Sequence, residues 1–482
     1  MQRFVDLPGK AFRFARKRTK KSGLFIWKRV EPWVWKRLEP WRVKYAAWRI
    51  AYARRRSCAT FIAVTGSSGK TTTAVLISHI LSSVAPVREQ VLRNVYSFHL
   101  GSLKNSLPGD GYFVAEIGSD GPGSLQPMID LIRPSVGVVT LVALEHKSAF
   151  RNIEGVAEEK GRLVEGLPAN GLAILNYDDP RVVAMAEHAT ARTVAFGQTG
   201  GEYVVSNVRC PAPEKLSLTI TNEDNAFEIA SRLTGVYQSV VVAAAFACTH
   251  QLGVPPGVIV ERIASFPAVF GRCSVHRVPN GPLFIVDTTK APYHSVRLAF
   301  DMLAEFSAPR KRIVVGHISD AAGSDRIYRD AYRAARSVAD QVIFLGEHSH
   351  RTKATAEEIA DGRFVRFEKL EDLADFLKES AIEDEIILLK SSAKMHFERL
   401  MLSFFTSVRC WKLVCGRKDS CVPLFDTGCG LYEAPFEQHK ALRKGLAYPM
   451  PAVHFGQNDV ASGPAENAAP TVRLRAVAGR ST

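Results

Sequence analysis

Short runs of apolar residues recur along the first half of the chain, and stretches with helical spacing separate them. The runs predicted as buried strands are Thr60–Thr65, Phe113–Ile117, Val136–Val142 and Leu172–Asn176. The predicted helices run from Lys70 to about Ser83, over Gln126–Arg133 before Pro134, and over Asn152–Glu165. This alternation predicts a mostly parallel sheet with helices on both faces.

The pattern changes after residue 200 and then repeats. Residues 202–231 alternate in the manner of antiparallel strands, and two helices are predicted at about 236–252 and 256–265. A second unit begins near Gly271, with apolar strands at Leu283–Val286, Arg312–Val315, Gln341–Leu345 and Glu385–Leu389. Its helical patterns lie at about 293–305, 325–338, 370–380 and 394–405. The predicted fold class is therefore α/β, with a central domain and a smaller, Rossmann-like C-terminal α/β domain.

The length of 482 residues exceeds what one hydrophobic core usually serves, so we expect several domains. The predicted segments are a leader at 1–57, a central domain at 58–270, a C-terminal domain at 271–408, a cysteine-containing extension at 409–454 and a tail at 455–482. The tail is rich in small and polar residues, so we predict that it is disordered. No apolar stretch approaches about 18 residues, so we predict no transmembrane helix.

The formal net charge of +15 is confined to the leader. Residues 1–57 hold 18 Lys and Arg against 3 Asp and Glu, so the rest of the chain is electrically balanced. The leader also contains five of the six tryptophans, Trp27, Trp33, Trp35, Trp41 and Trp48. Tryptophan beside Lys and Arg is typical of a segment on an anionic membrane surface, where each cation gains roughly 1 kcal/mol. A solvated arm with tryptophans packed on the body is the second interpretation, and nucleic-acid binding is the least favoured.

Eight cysteines occur, and no secretion signal accompanies them, so we do not expect disulfides. Four of them cluster near the end with the spacing C-x4-C-x5-C-x7-C, at Cys410, Cys415, Cys421 and Cys429. This spacing lacks the CxxC pairs that are usual at zinc sites. Reduced, packed thiols are therefore the favoured interpretation, and a structural metal site stays open.

The strongest chemical motif is a glycine-rich loop between the first predicted strand and the first predicted helix. Its residues are Gly66, Ser67, Ser68, Gly69, Lys70, Thr71 and Thr72. This context is what a phosphate-binding loop (P-loop) requires, because glycines let backbone N–H groups point at phosphate oxygens. Lys70 is expected to neutralise the β/γ-phosphates and Thr71 to ligate Mg²⁺. Val64 stands where the full motif has a glycine, so the prediction of a nucleotide-binding parallel sheet depends on this context.

The loop and its neighbours resemble the ATP loop of the muramyl (Mur) ligases, and most closely the branch that adds D-alanyl-D-alanine to the peptidoglycan precursor. The similarity extends in order over residues 60–405, which correspond to the central and C-terminal domains of that family only. The resemblance implies an ATP-dependent ligase that joins a carboxylate to an amine through an acyl phosphate, with ATP and Mg²⁺ as cofactors. Transfer of the γ-phosphoryl group needs the charge neutralisation that Lys70 and Mg²⁺ supply.

The resemblance also implies metal ligands. Glu116 matches a magnesium-binding glutamate, and His146 matches a metal-ligand histidine. Lys160 lies 14 residues beyond His146, as does the family's lysine that becomes carbamylated. One Mg²⁺ would then use Thr71 and Glu116, and a second would use His146 and the carbamate oxygen of Lys160.

Further resemblances lie in the second predicted unit. Arg272 matches an arginine that approaches the γ-phosphate, and Asp287 matches an aspartate that binds the nucleotide ribose, with Lys290 close behind it. The stretch Lys390–Ser392, with Met395 and Glu398, is similar to one near the incoming amine. The residues expected to act in catalysis are therefore Lys70, His146, Lys160 and Arg272.

Two departures from the family pattern affect the substrate and the adenine site. The family's first domain, which binds the UDP-sugar end of its substrate, has no counterpart in the leader. Tyr237, Gln238 and Val241 replace a histidine and two asparagines that contact adenine in the family, and Lys290 replaces an asparagine or histidine. We therefore expect the family's chemistry to be retained on a changed substrate, a lipid-linked or polymeric one, in peptidoglycan or other envelope synthesis.

Two functional hypotheses follow. The first is a cytoplasmic amide-forming ligase, peripheral on the inner face of the membrane, with a small-molecule or lipid-linked carboxylate and an amine acceptor as substrates. The alternative is a catalytically degenerate nucleotide-binding protein at the membrane surface, which the altered Tyr237, Gln238, Val241 and Lys290 favour. The retained Lys70, Glu116, His146 and Lys160 oppose that alternative.

Overall fold

The computed structural model describes residues 41, 43–106, 109–145, 149–223, 225–319, 324–417, 420–423, 428–440 and 442. The chain divides into two compact units, unit 1 ending at Val269 and unit 2 beginning at Phe270. Most of the predicted leader, His146 and all of the predicted disordered tail lie outside the described residues. In the part of the chain that is described, no helix is both long and apolar enough to cross a bilayer.

A nine-stranded sheet forms the centre of unit 1. Its strands are β1 Thr60–Thr65, β2 Val87–Gln90, β3 Tyr112–Glu116, β4 Val136–Val139, β5 Leu172–Asn176, β6 Arg192–Gly197, β7 Tyr203–Arg209, β8 Leu216–Asn222 and β9 Asn225–Ser231. Their order is β2-β3-β1-β4-β5-β6-β7-β8-β9. The pairs from β2 through β7 are parallel, and β8 and β9 are antiparallel to their neighbours. The carboxyl ends of β3, β1 and β4 therefore lie side by side, where parallel sheets bind ligands.

Helices cover both faces of this sheet. They are α1 at residues 43–54, α2 Lys70–Leu81, α3 Tyr96–Ser106, α4 Gln126–Ile132, α5 Ile153–Glu165, α6 Pro180–Ala184, α7 Ser239–Gln251 and α8 Pro256–Ser265. Asn152 starts α5, because its side chain accepts a hydrogen bond from Gly155 N. Helices α2 and α7 pack on each other and are buried almost throughout, which explains why both are apolar on most sides.

Helix α1 anchors the end of the predicted leader to unit 1. Ile50 is buried in the unit 1 core, and the Arg54 guanidinium lies 3.7 Å from the centre of the Phe61 ring. An aromatic stripe, which we define as Trp41, Tyr45, Trp48 and Tyr52, instead faces solvent, each residue being more than half exposed. Trp41 and Trp48 are 72% and 62% exposed. These two tryptophans therefore do not pack on the body. For them, the interpretation as a solvated arm with packed tryptophans is wrong.

Unit 2 has a smaller sheet of its own. Its strands are β10 Ser274–Arg277, β11 Leu283–Asp287, β12 Lys311–Val315, β13 Gln341–Leu345, β14 Phe364–Phe367 and β15 Ile386–Lys390. The order is β10-β11-β15-β12-β13-β14, and every pair is parallel except that of β10 with β11. The helices are α9 Tyr293–Ala304, α10 Asp325–Arg336, α11 Ala356–Ala360, α12 Leu370–Ser380 and α13 Glu398–Leu402.

The described part of the cysteine-containing extension is built into unit 2. Cys421, Val422 and Tyr432 belong to the same buried hydrophobic cluster as the residues of α12 and α13. Arg399 is fully buried and donates hydrogen bonds to the carbonyl oxygens of Cys410 and, at 2.8 Å, Lys412. This segment is therefore held by both apolar burial and charge-assisted hydrogen bonds.

The predicted α/β fold class is confirmed, and some of its elements are corrected. The helix predicted at 394–405 is too long: a short turn over Ala393–Met395 ends at His396 with a left-handed φ of 54°, and α13 covers only Glu398–Leu402. The apolar pattern also misses β2, β6, β10 and β14. Three of these are edge strands, where one side faces solvent and the apolar signal is weak.

Candidate active site

The glycine-rich loop joins β1 to α2 at the carboxyl edge of the unit 1 sheet. Gly66 has a φ of +142°, and a Cβ there would lie 1.9 Å from Thr140 Oγ1, so only glycine fits. Gly69, with a φ of +78°, turns the chain into α2. Because α2 begins at Lys70, its free N–H groups and the positive end of its dipole face the loop. This arrangement suits the binding of an anion such as a phosphate.

The residues behind the loop fix its shape. Thr140, after β4, donates a hydrogen bond from its hydroxyl to Ser68 O at 2.6 Å. The Ser67 hydroxyl donates to Ala143 O at 2.9 Å, and Ser67 N donates to Leu141 O at 2.8 Å. Lys70 is buried, and its Nζ donates to Gly66 O at 2.5 Å, which places the ammonium over the loop. The loop is therefore preorganised, with its cation beside the glycines.

Thr71 and Glu116 meet at the first turn of α2. The Thr71 hydroxyl donates to Glu116 Oε2 at 2.8 Å, because β3 pairs with β1 and brings Glu116 opposite Val64. Glu116 is 1% exposed and also accepts from Leu92 N at 3.0 Å and from Asn94 Nδ2 at 2.9 Å. Hydroxyl and carboxylate oxygens are ligands that Mg²⁺ prefers, so this pair fits the predicted magnesium site.

Lys160 lies on α5 and is completely buried beside Glu145. Its Nζ is 2.6 Å from Glu145 Oε1, and the two side chains are 0% and 7% exposed. Burial, opposed by the attraction of Glu145 and assisted by the nearby positive charge of Lys70, lowers the pKa of Lys160 to about 8. The three charges thus lie in one region of unit 1, at the carboxyl edge of the sheet.

His146, the other predicted ligand of the second metal, lies outside the described residues. Its neighbour Glu145 is described and pairs with Lys160, so the structure brings this part of the chain to α5. Glu159 precedes Lys160 and is 2% exposed; its carboxylate accepts from Gly123 N and Leu125 N, both at 2.7 Å. Glu159 therefore holds the start of α4 and fixes the turn of α5 that carries Lys160.

The segment that contains Tyr237, Gln238 and Val241, the substitutions at the predicted adenine site, lies next to the loop. A Cβ added at Gly69 would be 3.2 Å from Val241 Cγ2, so Val241 sits against the start of α2. Gln238 is 5% exposed and ends a short turn that leads into α7, and Tyr237 is half-buried. The substituted residues therefore border the predicted nucleotide site in the same unit.

The remaining predicted residues belong to unit 2. Asp287 is the last residue of β11, and in the parallel register it stands opposite Lys390, the last residue of β15. The Lys390 Nζ donates to Asp287 Oδ2 at 2.6 Å and to Lys290 O at 2.9 Å. Arg272 is half-buried, whereas the Lys290 side chain is exposed. Lys390 thus joins the Asp287 carboxylate to the backbone carbonyl of Lys290 at the carboxyl edge of the second sheet.

Sequence reasoning did not find several residues that shape the site, namely Thr140, Glu145, Asn94 and Asp179. Asp179 accepts from Val142 N at 2.6 Å and so supports the segment behind the loop. Glu145 carries the clearest signal, since an acidic residue in the loop that follows an apolar strand can lie at the edge where ligands bind. The others are ordinary polar residues in loops, and only the fold reveals their partners.

Family models match both units of the chain. The model described as Mur ligase middle domain matches residues 64–249, and the model described as Mur ligase, glutamate ligase domain, matches residues 271–393. Among curated relatives, the UDP-N-acetylmuramoyl-tripeptide–D-alanyl-D-alanine ligase of Escherichia coli is 26% identical over 368 residues, covering 73% of this chain and 78% of its own. The ligase of the same name from Bacillus subtilis is 24% identical over 360 residues, covering 72% and 76%.

Solved structures agree on the fold. MurF ligase from Thermotoga maritima, in complex with ADP, aligns with a TM-score of 0.67 at 22% identity, covering 75% of this chain and 83% of its own. A MurF structure from Acinetobacter baumannii aligns with a TM-score of 0.65 at 22% identity, covering 74% and 78%. At this identity the structural likeness shows a shared fold, and the two family matches together span more than half of the chain.

Proposed function

We infer the substrates and residue roles from one premise: the chain belongs to the Mur ligase family, whose members are ATP-dependent enzymes that form amide bonds. The protein is accordingly an ATP-dependent ligase, and it uses Mg²⁺. The comparisons give no support to the alternative of a degenerate nucleotide-binding protein. The observation that carries the residue assignment is the buried cluster of Lys70, Thr71, Glu116, Glu145 and Lys160 at one edge of the unit 1 sheet.

In the proposed reaction, the loop residues Gly66–Thr72 bind the ATP phosphates and Lys70 neutralises the charge that develops on the transferred phosphoryl group. Thr71 and Glu116 would hold Mg²⁺, which supplies further neutralisation of that charge. The substrate carboxylate attacks the γ-phosphorus, ADP leaves, and the resulting acyl phosphate is attacked by the amine. An amide forms and inorganic phosphate departs. The roles of Arg272, Asp287 and Lys290 toward ATP stay predictions.

We propose that Lys160 acts as a carbamate. Its neutral amine would add to CO₂ and lose a proton, which converts a buried cation into an oxygen ligand for a second Mg²⁺ with His146. What supports this is geometry: Nζ is sealed from solvent, Lys70 is close, and Glu145 is placed to accept the remaining N–H.

A chemical-rescue experiment tests the carbamate. Lys160→Ala should be inactive in phosphate release, and short carboxylic acids such as acetate or propionate should restore activity because their oxygens replace the carbamate. Arg181→Ala, which alters an exposed ion pair on the neighbouring α6, is the matched control and should keep full activity without added acid. Failure of every short acid to rescue a folded Lys160→Ala protein would remove the carbamate from the mechanism.

We further propose that the amine is D-alanyl-D-alanine, as the names of the relatives suggest, and that the acid, which those names give as UDP-linked, is instead carried by lipid. The support is α1, whose aromatic stripe is exposed and stands among leader residues with a charge balance of +15. Tyr45 and Trp48 stack with ring centres 6.1 Å apart, and Trp48 and Tyr52 stack at 6.0 Å. Aromatic rings with polar edges suit headgroup depth, and the cations suit an anionic leaflet.

Two assays test this substrate assignment. The full chain is given ATP, Mg²⁺, D-alanyl-D-alanine and a muramoyl tripeptide, attached either to UDP or to a polyprenyl phosphate in anionic vesicles. The lipid-linked acid should react at least about tenfold faster, since binding to the vesicle raises its local concentration. An equal or faster rate with the UDP-linked acid would refute the lipid carrier, and no amide with either acid would refute this pair of substrates.

Vesicle flotation tests the surface itself. The full chain should float with anionic vesicles and far less with neutral ones, and a Trp41→Ser, Trp48→Ser double variant should float at least about tenfold less. An Ile359→Ser variant, which removes an exposed apolar residue from unit 2, is the control and should float like the parent. Equal flotation of parent and tryptophan variant would refute the assignment of the stripe to membrane binding.

A further inference from the structure

A second group of metal-ligating side chains lies in unit 2, apart from the residues proposed to bind ATP. The side chains of His396, Glu398 and Cys421 each offer one ligand atom, and these atoms lie within 4.8 Å of one another. A further thiol, Cys415 Sγ, is 3.1 Å from His396 Nε2. His396 and Glu398 lie at the start of α13, and Cys415 and Cys421 come from the extension that packs against it.

The two residues near α13 are buried with polar atoms left over. His396 is 0% exposed and Glu398 is 1% exposed. Within the described residues, His396 Nδ1 and Glu398 Oε2 have no hydrogen-bond partner, and Nδ1 lies 3.7 Å from Glu398 Oε1, beyond hydrogen-bond distance. Glu398 Oε1 accepts from Cys421 N at 2.6 Å and from Ser420 Oγ at 3.2 Å, so only half of the carboxylate is satisfied. A buried carboxylate and imidazole whose polar atoms lack hydrogen-bond partners destabilise the fold unless a cation binds to them.

The backbone holds the group in place. His396 adopts a left-handed φ of 54°, a conformation that a residue with a Cβ rarely adopts, and this turns its ring toward the extension. Arg399 fastens the extension at Cys410 and Lys412. Cys421 pairs with Gly430 through its carbonyl oxygen at 2.9 Å, so the chain doubles back beside the group. The cluster is therefore assembled by long-range contacts and not by one flexible loop.

We propose that His396, Glu398, Cys415 and Cys421 bind one Zn²⁺ ion that fastens the extension to unit 2. Two thiolates, one imidazole and one carboxylate are the donor types that zinc takes in four-coordinate structural sites. Softer thiolates disfavour Mg²⁺ and Ca²⁺ at such a position. Each cysteine loses its proton on binding, and the two thiolates and the carboxylate then offset the charge of the ion.

The chain spacing explains why the four extension cysteines alone do not reveal the site. Only two of them would be ligands, and the other two ligands come from residues 396 and 398, outside the C-x4-C-x5-C-x7-C pattern. Cys410 instead faces Arg399, with the guanidinium nitrogen 3.4 Å from its sulfur, which is an unsuitable environment for a further cation. The proposed ligand set thus combines residues of the turn after β15 with residues of the extension.

Metal content and cobalt spectroscopy test the proposal on the full chain, purified without a histidine tag. After loading with Zn²⁺ and desalting, mass spectrometry of the metal should give about one zinc per chain. Replacement by Co²⁺ should produce the thiolate-to-cobalt charge-transfer band and the intense visible bands of tetrahedral coordination. Zinc far below one per chain, together with a cobalt spectrum that lacks thiolate bands, would overturn the proposal.

Variants and thiol labelling identify the ligands. His396→Asn and Cys421→Ser should each weaken zinc binding at least about tenfold, whereas Cys58→Ser, at an exposed cysteine of unit 1, should not change it. Because the ligand variants can unfold, the parent protein is also alkylated with and without chelator. Chelation should speed alkylation of Cys415 and Cys421 at least about tenfold and leave Cys58 unchanged. Unchanged labelling of Cys415 and Cys421, or a disulfide between them in the zinc-loaded protein, would refute the site.

Discussion

Variants of the buried pair Lys160 and Glu145 can separate the contribution of Lys160 to stability from its contribution to catalysis. In protein kept free of CO₂ and bicarbonate, where Lys160 is an unmodified ammonium, Lys160→Met leaves the Glu145 carboxylate, which is 7% exposed, without its cation 2.6 Å away. Removing one partner of a buried ion pair costs about 3–5 kcal/mol, because the other charge stays desolvated. Replacing both, as Lys160→Met with Glu145→Gln, removes both charges, so we expect the double variant to recover most of that loss.

The expected change in unfolding temperature follows from the burial of the pair and from the size of unit 1. For a unit of roughly 200 residues, 1 kcal/mol shifts the unfolding temperature by about 2–4 °C, so Lys160→Met should lower it by roughly 6–20 °C. The double variant should lie within about 4 °C of the parent. Both variants should lack ligase activity, because neither can form the carbamate.

Calorimetry of the full chain measures these shifts, together with phosphate release at a temperature where all variants are folded. Glu385→Gln in unit 2 serves as the reference, because it should move the other unfolding transition and leave that of unit 1 in place. If Lys160→Met unfolds at the parental temperature, the pair does not carry the proposed energy. If the double variant is as unstable as Lys160→Met, the loss comes from packing and not from the unpaired carboxylate.

Three further predictions follow from single side chains. Glu116→Gln keeps the shape of the carboxylate but removes its charge, so kcat in the phosphate-release assay should fall about 10²–10³-fold with little change in stability. Gly66→Ala would place a Cβ 1.9 Å from a buried hydroxyl oxygen and should abolish ATP binding by calorimetric titration, whereas Gly257→Ala, with open space around it, should bind ATP normally. Glu385→Gln leaves the fully buried Arg312 without its partner and should destabilise unit 2 by about 3–5 kcal/mol in urea.

The parts of the fold that the sequence predicted best are those that are buried on both faces. The strand Thr60–Thr65 and the strand Leu172–Asn176 match their predicted bounds, because parallel strands inside a covered sheet are continuously apolar. Edge strand β2 contains Arg88, Glu89 and Gln90, and none of its four residues is fully buried, so it carries no apolar run that could be recognised. The turn at His396 was unpredictable for another reason, since its left-handed backbone accompanies a contact of its ring with Cys415, a residue distant in the sequence.

The candidate site could be predicted where local sequence carries the chemistry. The loop, Glu116 and Lys160 stand in the order typical of the family, and the fold brings Thr71 against Glu116 and Lys160 into a buried position. Glu145 was not predicted, because its importance depends on α5 crossing near the end of β4. The zinc ligands were not predicted either, since two of them lie outside the cysteine cluster.

The central claim is that the γ-phosphate of ATP activates a carboxylate at the loop residues Gly66–Thr72. Its most direct test is oxygen transfer from the acid substrate, labelled with ¹⁸O in both carboxylate oxygens, in a reaction with ATP, Mg²⁺ and the amine. If an acyl phosphate forms, each amide produced should be accompanied by one inorganic phosphate carrying one ¹⁸O atom, because that carboxylate oxygen leaves with the phosphate. Phosphate without label, released at the same rate with or without the acid, would show that water and not the carboxylate attacks ATP, and would contradict the assignment.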